Sequence, residues 1–242
     1  MFLVILYVSG NWLSYGTWLA APREKKYFEG TRILFREIPG QGKRLQAAYY
    51  NEVAYYGHSI SPFKLNQENE SLLKAILGCV NSKLISWYGA LLLPNLSKDI
   101  FPKVNPKDIS ELPIPNELEN DTNTISALAN LADKMLTLNA DLQQKVSRFL
   151  RRITETYNLG KTTAALETFY TLNFSDFVKE LGKQKVKLTL VQKDELEDYF
   201  NAYQAECQAL KTAIATTDRE IDQMVYALYG LTDEEIAVVE GE

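Results

Sequence analysis

Two stretches of this chain repeat apolar residues at alternating steps of three and four. In the first, Leu128, Leu131, Met135, Leu138 and Leu142 are followed by a four-residue step to Val146, Phe149 and Ile153. In the second, Leu196, Tyr199, Tyr203, Cys207, Leu210, Ile214, Thr217, Ile221, Met224 and Leu228 keep nearly the same spacing. A step averaging about 3.5 residues places every member on one stripe of an α-helix, whereas strand side chains alternate with period two. Each stretch therefore predicts a long amphipathic helix with a coiled-coil seam. Neither helix can leave its stripe in water, and about 40 residues join them, so an antiparallel pair is the simplest arrangement.

The joining segment is not blank. Residues 165–181 are apolar and aromatic and predict a helix covering the end of the pair, and residues 185–190 predict a short strand. After the second seam, Gly230 stands where a helix-terminating glycine belongs. Thr232 and Glu235 form a T-x-x-E capping box for one more short helix.

The first half follows other rules. Residues 31–38, TRILFREI, are β-branched and aromatic and end in the turn signal Pro39-Gly40. Residues 47–60 carry the pairs Tyr49-Tyr50 and Tyr55-Tyr56, which in a strand would each point one ring inward and one outward. Residues 70–92 place Leu73, Ile76, Leu77, Val80, Leu84 and Tyr88 at helical spacing. The proline-rich 93–115 segment reads as an anchored loop. The expected class is α+β: a mixed globule over residues 1–118, followed over 119–242 by a long antiparallel, coiled-coil-like helical hairpin with a C-terminal capping helix.

Charge divides the chain at about the same place. Residues 1–110 hold 13 Lys and Arg against 8 Asp and Glu, while residues 111–242 hold 13 against 23. A mildly basic half suits an anionic partner, although ordinary surface charge gives the same imbalance. The eight apolar residues at the start are too few to span a bilayer and lack a basic n-region and cleavage site; they predict a buried strand. Cys79 and Cys207 match no disulfide or metal spacing, which suggests reduced thiols.

No catalytic constellation emerges. There is no G-x-G-x-x-G, no phosphate-binding loop and no adenine-gripping N-P-P-Y; Asn105-Pro106-Lys107 lacks the second proline and the aromatic. Glu24-Lys25-Lys26 has the E-x-K half of a nuclease site without a preceding aspartate, and His58, the one histidine, has no identifiable partner. No catalytic and no metal residue is assigned. Binding is left, and the first half interleaves Arg and Lys with Tyr, Asn and Gln, which suits phosphate neutralisation and base-edge hydrogen bonds.

Four strings carry a family resemblance: residues 15–40, YGTWLAAPREKKYFEGTRILFREIPG; residues 72–88, LLKAILGCVNSKLISWY; residues 99–115, DIFPKVNPKDISELPIP; and residues 220–240, EIDQMVYALYGLTDEEIAVVE. In this order they resemble the C-terminal target-recognition region, with a TaqI-like specificity domain, of type IIG restriction-modification enzymes and adenine-specific DNA methyltransferases. NSKL and the ID-x-x-VY-x-LYGLT-x-EE ending are the most specific pieces. The resemblance implies sequence-specific recognition of double-stranded DNA, with the tail closing the region structurally. It implies methyltransferase and nuclease domains as partners, in the same polypeptide or a separate subunit. S-adenosylmethionine and Mg are expected in those domains, with no cofactor in this chain. The chain's first 14 residues begin about where a methyltransferase domain would hand over, so an excised domain, a truncated product or a stand-alone specificity subunit is expected. A prokaryotic cytoplasm, at the nucleoid, is the implied location, away from any membrane.

On this reading Lys25, Lys26, Arg32, Arg36, Lys43, Arg44 and Lys98 are the expected phosphate contacts. Gln41, Arg44, Tyr50, Asn51, His58, Asn95 and Ser97 are the expected base readers. The alternative is a protein-interaction or assembly module built on the helical hairpin, without DNA contact; the net charge of −5 suits it.

Overall fold

The structure is a computed structural model that describes residues 15, 16, 18, 19 and 22–241. The expected strand at the apolar start lies outside the described residues. The chain forms two compact units: Met1–Leu136 with Thr217–Glu242, and Thr137–Thr216.

The first unit is organised on a three-stranded antiparallel sheet of β1 (Arg32–Arg36), β2 (Ala47–Tyr50) and β3 (Ile60–Phe63), in the order β2-β1-β3. β1 is central and reads RILFR, with Ile33, Leu34 and Phe35 all buried. Arg32 pairs with Tyr50 and Phe35 with Ala47; on the other side Arg36 pairs with Ile60. Pro62 faces Leu34 from β3, an edge strand, where a missing N–H costs no ladder bond. The predicted continuous run over 47–60 is interrupted: residues 51–56 are irregular, and Tyr55 and Tyr56 pack on Phe28 at 4.8 and 5.1 Å. Tyr49 and Tyr50, in β2, are both half-buried.

The predicted helix over 70–92 is two helices, α1 (Glu70–Val80) and α2 (Lys83–Leu92), meeting at a 62° bend. Side chains at the break supply the reason. Ser82 caps α2 by accepting from the Ile85 N–H at 3.3 Å, and Asn81 turns its amide toward β2 rather than continuing the helix. Loop residues 93–105 follow, then the short helices α3 (Pro106–Ser110) and α4 (Glu117–Asn120).

The long helices are α5 (Thr122–Tyr157) and α8 (Leu190–Leu228). They run antiparallel in both units: Lys134 bonds Glu220 at 3.0 Å in the first, while in the second Lys145 bonds Glu206 and Phe149 packs on Phe200. Every residue of the two predicted seams is buried or half-buried. Between them lie α6 (Ala164–Glu167), a 3-10 turn (Phe169–Thr171) and α7 (Phe174–Lys183), where one helix over 165–181 was expected. The chain breaks because Asn173 caps α7, accepting from Asp176 N at 2.8 Å, so that Phe169 and Phe177 both reach one core. The expected strand over 185–190 is also absent. Thr189 and Gln192 instead form a capping box, Gln192 N donating to Thr189 Oγ1 at 3.3 Å and Thr189 N to Gln192 Oε1 at 3.0 Å. α8 therefore starts at Leu190, six residues before the first seam residue, Leu196. Finally, α9 (Asp233–Glu240) begins at the predicted capping box, after Gly230 with φ of 64°.

The second unit is held by stacked rings. Phe149 lies 3.8 Å from Phe169, nearly parallel, and Phe177 lies 4.8 Å from Phe200. All four are fully buried. Phe149→Ala should cost about 3–5 kcal/mol of stability, measured by urea unfolding; a loss under about 1 kcal/mol would show that this cluster is not the unit's core.

Candidate nucleic-acid interface

The sheet has two exposed ends, and the predicted contact residues divide between them. At the Arg36 end, β1 and β2 are joined through a turn over residues 41–44. Gly42 and Lys43 both have positive φ, 67° and 59°, the left-handed pair a primed hairpin turn requires; glycine takes it freely and lysine does not. Lys43 is held there from outside the turn: its Nζ donates to the Ser97 carbonyl at 2.8 Å and reaches Asp99 at 3.4 Å. The 93–105 loop is thereby fixed to this end. A second tie runs from Val104 N to the Glu37 carbonyl at 2.8 Å, and a third joins Lys103 to the Glu37 carboxylate at 2.8 Å. The hydrogen bond from Lys103 holds the Glu37 carboxyl below its usual range. His58 stands in the turn leading into β3 at the same end.

Gln41, Lys43, His58, Asn95, Ser97 and Lys98 thus share one end of the sheet, with Arg36 at its margin. Gln41, His58 and Lys98 are exposed. Asn95 accepts from Lys98 Nζ at 3.0 Å, and Arg36 donates to Gln46 Oε1 at 2.7 Å. Lys25, Lys26, Tyr50 and Asn51 lie at the opposite end, about 13 Å away at the rise of a five-residue strand. There Lys25 pairs with Glu29 and Lys26 with Glu24, both exposed.

Two expected contacts are directed inward. Arg32, expected on a phosphate, is 0% exposed. Its guanidinium donates to the carbonyls of Gly30 and Glu52 at 2.6 and 2.9 Å and lies over the rings of Tyr50 and Tyr56. Arg44, expected on both phosphate and base, bonds the Asn81 carbonyl through Nε and Nη2 at 3.2 and 2.9 Å, and Asp218 at 3.0 Å. A charge with this many internal acceptors is a structural tie, because exposing it would strand the groups it satisfies.

The specific strings of the sequence meet at Arg44. Asn81, 2% exposed, accepts from Ala47 N at 2.9 Å and donates to the Ala47 carbonyl at 3.0 Å, so its amide extends the β2 ladder by one side chain. Lys83 N donates to Asp222 at 2.8 Å, and Lys83 Nζ bonds Glu240, which accepts from Tyr226 Oη at 2.7 Å. Tyr229 Oη donates to the Pro113 carbonyl at 2.8 Å. NSKL and the C-terminal tail are therefore two halves of one fastening.

Residues 5–114 match the TaqI-like C-terminal specificity domain. Residues 121–225 match a Domain of unknown function (DUF8810). No curated protein and no solved structure matches significantly. The specificity-domain match contains the whole sheet, both tied ends and α1–α3. Its turn at Arg44 is nevertheless closed by Asp218 and Asp222, which lie outside the match.

Among the described residues, no group of His, Cys, Asp and Glu could hold a metal ion, and no single helix is long and apolar enough to cross a membrane. Burial pushes the Cys79 thiol up to about 12 and the Cys207 thiol to about 11, so neither is a ready nucleophile. Sequence reasoning gave Lys103 no contact and did not single out Ile100 and Phe101 at this end of the sheet; their basic and apolar character was visible, but not the loop closure that places them.

Asp222 is pushed up to about 6 by burial, from an ordinary 3.8, and its Oδ2 has no hydrogen-bond partner among the described residues. The folded state then holds this proton more tightly than the unfolded chain, so this contribution to stability is present below pH 4 and is lost as pH rises through 6. Melting temperatures of wild type and Asp222→Asn should diverge in the variant's favour from acidic to neutral pH; parallel curves would remove the assignment. Arg44→Ala should cost about 3 kcal/mol or more, read by the same melts.

Proposed function

We propose that this chain is the DNA target-recognition module of a restriction-modification system. The observation that carries the reading is the convergence of Gln41, Lys43, His58, Asn95, Ser97 and Lys98 on one tied end of a sheet that matches a TaqI-like specificity domain. Duplex DNA lies against that end. Lys43 and Lys98 neutralise phosphates, while Gln41, His58 and Asn95 offer base-edge hydrogen bonds. A short basic surface with exposed polar groups around it can both hold a backbone and read a few base edges. Arg32 and Arg44 build the surface rather than touch the nucleic acid. Lys25, Lys26, Tyr50 and Asn51, at the other end, take no part in reading unless the duplex runs along the sheet.

The module serves a methyltransferase or nuclease domain, which supplies S-adenosylmethionine or Mg and the chemistry. The long helices set the module's position relative to that partner.

Binding of the full chain to a pool of randomised duplexes, at low and moderate salt, tests the reading. Affinity should fall steeply with salt. Lys43→Glu and Lys98→Glu should each weaken binding to every sequence and reduce the logarithmic salt slope by about one. Affinity indifferent to salt and to both substitutions would favour the helical hairpin as a protein-docking element and overturn the DNA reading.

A further inference from the structure

The most exposed large apolar side chain among the described residues is Phe101, at 80%, and its neighbour Ile100 is 76% exposed. An aromatic ring left in water next to an exposed isoleucine is an unusual use of apolar surface. It is not a consequence of a loose segment. The 95–103 loop is closed at its base by Lys103 N donating to the Asn95 carbonyl at 3.1 Å. One leg is held by Lys43 on Ser97 and the other by Lys103 on Glu37, each at 2.8 Å. Phe101 also has φ of 54°, a left-handed conformation that a phenylalanine adopts at a cost and that glycine or asparagine would adopt more readily. Local preference therefore does not account for an aromatic residue at the tip.

The charged groups tied at this end of the sheet are basic on balance: Lys43, Lys98, Lys103 and, at the margin, Arg36, against the carboxylates of Asp99 and Glu37. A partner fitting this end is anionic around its rim and has an apolar, flat interior that accepts a ring. A base stack between two phosphate backbones has both properties. Proteins that deform duplexes drive apolar residues between base steps while cations hold the flanking phosphates.

We propose that the 95–103 loop is a wedge: Phe101, backed by Ile100, enters the base stack of the bound duplex and unstacks one step, while Lys98 and Lys43 hold the phosphates on either side. This rests on the DNA reading above and adds to it a deformation of the target. The pinned legs let the ring enter without first ordering the loop, so the binding energy is spent on opening the stack. It also gives the surface a second source of selectivity, because flexible pyrimidine–purine steps open more easily than others.

The test uses the full chain and a randomised duplex pool in which a fraction of adenines is replaced by a fluorescent analogue that brightens when unstacked. Wild type should retain duplexes and brighten them. Phe101→Ala, at an exposed site, should keep the wild-type melting curve, bind about tenfold more weakly (the loss of roughly one stacked base), and lose the brightening. Phe101→Trp should restore both, and Lys98→Glu should weaken binding while leaving the brightening of what still binds. Retention by wild type without brightening, or brightening unchanged in Phe101→Ala, would overturn the wedge alone and assign the apolar tip to a protein partner. Failure of wild type to retain duplexes at either salt would overturn the DNA reading itself, and the wedge with it.

Discussion

The first unit depends on Arg44. Its guanidinium binds the Asn81 carbonyl and Asp218, and Asn81 in turn extends the β2 ladder with its side chain. Three pieces of chain far apart in sequence, the β1–β2 turn, the break between α1 and α2, and the last turns of α8, are thereby joined by one half-buried cation. A partly buried charge that satisfies several acceptors adds little net stability over an apolar alternative, but it is intolerant of displacement. It fixes where the turn lies, and the turn positions Lys43. Lys43 then holds the 93–105 loop through Ser97. This end of the sheet is thus specified from the inside outward, through a chain of polar ties rather than by packing alone.

This arrangement explains why the strings most characteristic of the sequence have no chemistry in them. Asn81 and Ser82 end one helix and start the next while satisfying the edge of the sheet. The tail closes over the same place: Gly230 stops α8, Thr232 starts α9, and Tyr226 and Lys83 meet at Glu240. Such residues resist exchange because each satisfies several buried partners at once. Gln41, His58, Lys98, Ile100 and Phe101, by contrast, are exposed.

The parts of the fold that were legible were those fixed by local periodicity and capping. Both long helices, their antiparallel pairing, the central strand and the terminal capping box follow from spacing and residue type. The errors share a physical cause. The 185–190 run has strand composition, but Thr189 and Gln192 cap a helix more favourably than an isolated strand could pair. The aromatic 165–181 run divides because two of its phenylalanines must reach one core. Of the candidate site, the basic and polar character of the residues was legible, whereas the direction of each side chain was not. Arg32 and Arg44 have the same chemistry as an exposed arginine, and nothing near them in sequence marks the carbonyls and aspartates that hold them.

The sequence by itself determined the helix stripes, the strand that fills the core and the stop at Gly230 and start at Thr232, because these depend on neighbours within a few residues. Only the tertiary structure decided which basic residues face inward, which end of the sheet gathers the polar groups, and that Ile100 and Phe101 project from a pinned loop. Those outcomes depend on contacts across 20 to 174 positions of chain, such as Arg32 with Glu52 and Arg44 with Asn81 and with Asp218, and no local pattern encodes them.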